Sequence, residues 1–340
     1  RTGAGTLAAL FAVMTVAFAA GAGVALHVAL AQPAREAARD AFGDVSREVE
    51  VEATVTGKVE PRPGGQRAFD AVVRLLGPEG EPLSGWTDAT VRVSRDQLTS
   101  ELDVGALIRV TGNTRPAYPG DRAVVQVMAH ETDVREPPTG ILRVTAGLRQ
   151  SLVGAAEGLP GGGGELLPGL AVGDTSAVSV QTDADMKASS LSHLTAVSGA
   201  NCALVVGIAF GLATVLRTGR RVRVLAGVGA LVGFVILVTP EPSVVRSATM
   251  AGIAMPAVLL GRTGAGVALL SGAVVLLLLL DPWLSGSLGF ALSVAATGAL
   301  LTLARPLASG LARAMPAPLA LALSVPLAAQ LACGPPTGSD

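Results

Sequence analysis

Aromatic residues are almost missing from this 340-residue chain: tyrosine occurs once, tryptophan twice and phenylalanine seven times. Cysteine occurs only at Cys202 and Cys333, both inside apolar runs. Two thiols so placed exclude a disulfide framework for the polar part of the chain, and they read as buried free thiols. No His, Cys, Asp or Glu spacing matches a metal site, so neither metal nor cofactor is expected. Ser198 and His193 lie on one segment with no third group nearby in sequence, so no nucleophile, base and orienting group can be assembled and no enzyme is expected. Charge is also scarce, at 15% of residues.

Half the residues are hydrophobic, and mean hydropathy is +0.55. With so few aromatics, that content is Ala, Val, Leu and Gly, a mix that lets helices approach closely in lipid. Residues 48–136 hold ten Lys/Arg and fifteen Asp/Glu, whereas residues 195–340 hold eight and three. A charged, soluble-looking region is therefore joined to an apolar one.

Residues 7–30 are apolar without a formal charge, long enough to cross a bilayer, and residues 1–31 read as an N-terminal transmembrane helix. His27 reads as a helix-end residue at the headgroups. A polar helix is expected over 32–47. From Val49 the period changes to two: Val49, Val51, Ala53 and Val55 alternate with Glu50, Glu52, Thr54 and Thr56. Further strands are expected at 68–76, 89–93, 106–112 and 123–129, divided by Pro/Gly clusters. Region 48–136 thus reads as a small closed β-barrel, OB-fold-like. Such barrels bind oligonucleotides, and Phe69, Trp86 and Tyr118 are candidates for stacking on bases, with packing as the competing role. The acidic balance argues against a nucleic-acid groove.

Region 141–192 holds an amphipathic, interfacial helix over 141–159, with Ile141, Val144, Leu148, Leu152 and Ala155 on one face, and a Gly-rich connection. Region 193–340 holds six spanning candidates, at 193–216, 224–238, 244–260, 264–280, 288–303 and 316–333. Several are short or broken by Gly and Pro, and such backbone survives in lipid only within a bundle or beside a water-filled path. The expected fold is a polytopic α-helical membrane protein with an inserted β-barrel domain. Arg217, Arg220, Arg221, Arg223, Arg262, Arg305 and Arg313 fall on one side and Arg246 alone on the other. Positive-inside bias makes the 217–223 loop cytoplasmic and the β-domain extracytoplasmic.

Polar groups at membrane depth are functional candidates by default. His193, Ser198 and Asn201 cluster, and Ser198-Gly199 could break the helix so that His193 and Asn201 line a cavity; a helix end with satisfied hydroxyls is the plainer reading. Arg246 could snorkel to the interface. Asp174 after Gly173, and Asp281 before Pro282, are turn or cap residues first.

Three segments resemble the ComEC family of competence proteins: His193-Leu-Thr-Ala-Val-Ser-Gly199 preceded by Gly173-Asp174; Val245-Arg246-Ser-Ala-Thr-Met250; and Asp281-Pro282-Trp-Leu-Ser-Gly-Ser-Leu-Gly-Phe290-Ala-Leu-Ser293. The resemblance implies a bacterial inner-membrane channel through which single-stranded DNA enters the cytoplasm in natural transformation. Its partners would be single-stranded DNA, the lipid bilayer, the proteins that deliver and pull DNA, and in a homo-oligomer further copies of the chain. Asp174, His193, Ser198, Asn201, Arg246 and Asp281 are then the DNA-path candidates, and Gly173, Gly199, Pro282, Phe290 and Ser293 the structural motif. Asn201 stands where the family often has His. Many members continue into more helices and a metallo-β-lactamase-like domain; this chain reads as a fragment or a reduced member, and no nuclease is expected of it. A small-solute or ion transporter, and a membrane-anchored binding protein acting through its outer β-domain, are the alternatives.

Overall fold

The valine alternation that opens the charged region becomes the first strand of a closed barrel. The computed structural model describes residues 2–43, 47–61, 66–94, 102–118, 120–159, 163–175, 177–189, 199–238, 242–259 and 266–333. Internal contacts divide the chain into two units: Ala31–Thr218 with Leu225–Val245, and Arg1–Leu30 with Gly219–Val224 and Arg246–Asp340.

In the first unit the strands are β1 (Glu48–Val55), β2 (Glu60–Pro61), β3 (Arg67–Leu76), β4 (Thr87–Val93), β5 (Leu107–Pro116) and β6 (Val125–Glu136). β1 pairs with both β3 and β5, and the order β1-β5-β6-β4-β3 returns to β1. Five strands therefore close into a barrel, which removes exposed sheet edges; β2 only extends β3. Every pairing is antiparallel except β4 with β6. The five expected strands all occur, with most ends shifted by a few residues and β6 running on to Glu136, past its expected end at 129. Every second residue points inward: Val51, Ala53, Val73, Val91, Ile108, Val110 and Val127 are fully buried. Glu52 and Glu50 face outward and pair with Arg74 and Arg109.

Helix α1 (Thr2–Phe42) runs unbroken through Pro33. Its end reaches the barrel, where Phe42 joins the core. Arg35 donates to the carbonyls of Arg122 (2.6 Å) and Asp121 (2.7 Å) in the β5–β6 loop. Burial, and then Arg39, hold the Arg35 pKa below its ordinary value, while Asp88 acts the other way; a guanidinium starts so high that it stays charged.

Helix α2 (Gly140–Ala156) leaves Ile141, Val144 and Leu148 of its apolar face exposed and buries Thr145, Ala146, Arg149 and Ala156. Arg149 donates to both carboxylate oxygens of Asp103 at 2.8 Å and to the Leu237 carbonyl at 2.6 Å. Then come α3 (Gly163–Val172), α4 (Val180–Ala188), α5 (Gly199–Val215) and α6 (Arg220–Val238). Three of the four clustered arginines thus open α6 rather than sitting in a loop.

The second unit contains most of α7 (Pro242–Leu259), then α8 (Gly266–Leu280), a 3-10 turn (Pro282–Gly286), α9 (Leu288–Leu311) and α10 (Ala317–Cys333). α9 passes Pro306 and outruns its expected end at 303; the proline removes one helical hydrogen bond without ending the helix. α6 and α9 are long and apolar enough to cross a membrane, and α5, α8 and α10 contribute shorter apolar stretches. Only 22% of the apolar window of α6 and 11% of that of α9 is buried, whereas the core helix of a soluble protein is mostly covered.

Candidate functional site

Two of the recognised segments meet in the second unit. Arg246 lies in the first turns of α7, and its guanidinium carbon is 5.7 Å from the centre of the Phe290 ring on α9. Arg246 is only 7% exposed, and its Nε is buried without a hydrogen-bond partner. Among the described residues no carboxylate pairs with it. The ring face supplies partial compensation, worth about 2 kcal/mol for a desolvated pair. A buried guanidinium with an unmatched donor is suited to holding an anionic group.

Local capping places Phe290. Asp281 Oδ1 accepts from the Trp283 N–H (3.2 Å) and starts the 3-10 turn, with Pro282 buried in its first position. Ser287 Oγ accepts from the Phe290 N–H (3.3 Å) and starts α9. Asp281 therefore caps the 3-10 turn, with Pro282 inside it, and Ser287 is the cap that starts the helix carrying Phe290. Ser293 is half-buried one turn on, and its carbonyl accepts the Thr297 hydroxyl at 2.8 Å. Sequence reasoning confines His27 to the helix end. The structure instead places its Nδ1 3.2 Å from the Leu279 carbonyl and its ring edge-on to Trp283, with centroids 5.9 Å apart. A single histidine in an otherwise uncharged run was the signal for it.

The other candidates lie in the first unit. Gly173 ends α3 with φ 75°, a left-handed position that suits glycine. Lys58 donates to its carbonyl (3.4 Å) and Arg67 to that of Thr175 (3.5 Å), so two barrel cations flank Asp174. Asn201 Nδ2 donates to the Leu170 carbonyl (3.0 Å), tying α5 to the end of α3. Gly199 opens α5. His193 and Ser198 lie outside the described residues. Phe69 needs correction: it is 2% exposed in the barrel core and offers no face to a base. Trp86 and Tyr118 are 47% and 72% exposed. The Arg74 guanidinium stacks 4.7 Å from the Trp86 ring centre, leaving its other face.

A model of one protein family, described as "Competence protein", matches residues 170–339, which is half of the chain. The chain belongs to the competence protein family. The resemblance read from three short segments is thereby shown, and a role in competence follows from membership. The competence match begins near the end of α3 and runs through α10, so it contains Gly173, Asp174, Asn201, Arg246, Asp281 and Phe290, and it leaves the barrel outside. No curated protein matches the chain.

Proposed function

We propose that this competence-family protein is a polytopic inner-membrane component of the channel that takes single-stranded DNA into the cytoplasm, and that Arg246 contacts the passing strand. One observation carries the reading: Arg246 is a buried cation with an unmatched donor, held by Phe290, inside the family segment. A strand carries one phosphate per nucleotide and would match such a donor without regard to sequence. The outward apolar faces of α6 and α9 support a bilayer setting, and the exposed apolar face of α2 supports an interfacial one. The arginines near 217–223 favour a cytoplasmic face there, with the barrel outside. The barrel's parallel β4–β6 closure fits a five-stranded OB-fold. The chain acts as a conduit rather than an enzyme, with DNA-delivering and DNA-pulling proteins on either side and homo-oligomerisation open to it.

The test replaces Arg246 by Gln and by Lys in the intact protein of the natural host. Arg246→Gln should lower transformation at least about tenfold, equivalent to about 1.4 kcal/mol, with normal membrane insertion; Arg246→Lys should recover part of it. Wild-type transformation by a correctly inserted Arg246→Gln protein would remove Arg246 from the path. A membrane-anchored binding protein is the second reading, favoured by the barrel's exposed Trp86 and its place outside the family match.

A further inference from the structure

A groove of about 300 Å³ crosses the outer face of the barrel. Gln66, Arg92, Asn113, Arg115 and His130 ring it, Met128 floors it, and no acid lines it among the described residues. That is unusual on a barrel region with fifteen acids against ten bases.

Strand register builds the groove. Arg92 on β4 and Asn113 on β5 both lie opposite Met128 of β6. Between Thr111 and Gly112 the β5–β6 register slips, leaving His130 as the extra residue of a bulge. Bulges re-aim side chains and gather near sites. Here the Asn113 amide nitrogen lies 2.9 Å from His130 Nε2. Gly112 is required at the slip, since a Cβ there would collide with the Met128 carbonyl. Arg92 Nε is buried and has no hydrogen-bond partner, and no ion pair neutralises Arg92 or Arg115 among the described residues. A buried donor of this kind is costly unless something matches it.

We propose that this groove is an oxyanion site that seats one phosphodiester group of a single-stranded nucleic acid, with Arg92 and Arg115 as the charged donors; this rests on the DNA-uptake reading above. Two guanidiniums suit phosphate oxygens. Asn113 and Gln66 add neutral donors. The apolar floor at Met128 suits a nucleotide, a phosphate joined to sugar and base, better than a bare ion.

The experiment uses the full chain in phosphatidylcholine nanodiscs and a fluorescent oligo-dT strand at several salt concentrations. Arg92→Gln and Arg115→Gln should each weaken binding about tenfold and reduce the salt slope by about 0.7. Arg135→Gln, which removes an exposed cation paired with Asp133 outside the groove, should change binding less than about twofold. Arg92→Lys should retain part of the affinity, which a collapsed barrel would not. Unchanged binding by both Gln variants overturns the site, and so does an intact chain that fails to bind the strand. Loss of binding to phosphatidylglycerol vesicles with oligo-dT binding unchanged overturns it in favour of a lipid headgroup. If the groove variants bind normally while Arg246→Gln abolishes transformation, the groove falls and the uptake reading stands. If the groove variants lose binding while Arg246→Gln transforms normally, the groove stands and the Arg246 path falls.

Discussion

The barrel and the apolar helices draw on the same palette of Ala, Val, Leu and Gly and arrange it oppositely. In the barrel, Val51, Val73, Val91, Ile108 and Val127 are sealed inside, and charged pairs such as Glu52–Arg74 cover the outside. In α6 and α9 few apolar side chains are fully buried, and Val222, Leu225 and Val232 on α6 and Leu288, Leu292 and Leu301 on α9 are exposed. Water drives apolar area inward at about 25 cal/mol per Å², and between helices in lipid that force is absent. The contrast is the one expected if the barrel is built for water and the helices, as proposed, for lipid.

A carboxylate placed in each region breaks the comparison most sharply. Ile108→Asp puts an unpaired acid in the barrel core and should cost more than about 4 kcal/mol, read as loss of amide-exchange protection across β1 to β6. Val232→Asp is the counterpart on an exposed position of α6. On a water-facing helix it would change stability by roughly 0.5 kcal/mol or less; in a bilayer it should oppose insertion by about 3 kcal/mol. Insertion of the Val232→Asp chain at the wild-type level, read by protease accessibility in membranes, would make α6 a water-facing helix and end the contrast.

A smaller effect is expected in α2, where the two arrangements meet. Its apolar face is exposed while Arg149 is buried against Asp103 and the Leu237 carbonyl. Arg149→Ala should cost about 3 kcal/mol, because it strands the Asp103 carboxylate. Arg149→Met combined with Asp103→Leu should cost much less than Arg149→Ala. Urea titration of the chain in detergent reads both; equal losses would mean that the pair contributes more than removal of a stranded charge.

The barrel was legible because its signal is local. Val49, Val51, Ala53 and Val55 announce their inward face by alternation alone. The same phase, continued through Ala71, Val73 and Leu75, already places Phe69 inside; reading it as a stacking residue gave residue type precedence over period. The parallel β4–β6 closure and the bulge at Gly112 were not legible, since both depend on which distant strands meet. Arg246 and Phe290 could be named from their segments, but their contact joins two helices with α8 between them. Pro306 lies beyond the expected end of its span and Pro326 inside its span, and both helices, α9 and α10, pass them at the loss of one backbone hydrogen bond each.

The smallest effect concerns Arg217. The end of α5 carries the bonds of a Schellman cap: the Thr218 N–H reaches the Ala213 carbonyl (3.1 Å) and the Arg217 N–H that of Thr214 (2.9 Å). The left-handed residue is Arg217, at φ 53°, where glycine is usual. An L residue there costs about 1 kcal/mol, so local geometry alone favours glycine. Charge sorting supplies a reason for arginine, because Arg217 is one of four clustered cations that define the cytoplasmic side in the proposed topology. Arg217→Gly should therefore raise amide protection at the end of α5 by about 1 kcal/mol, while the three cations left at 220–223 hold the orientation. Unchanged protection would mean that the helix end is relaxed with arginine in place. An inverted orientation would mean that Arg217 decides the topology, and that the strain at this helix end is maintained for its charge.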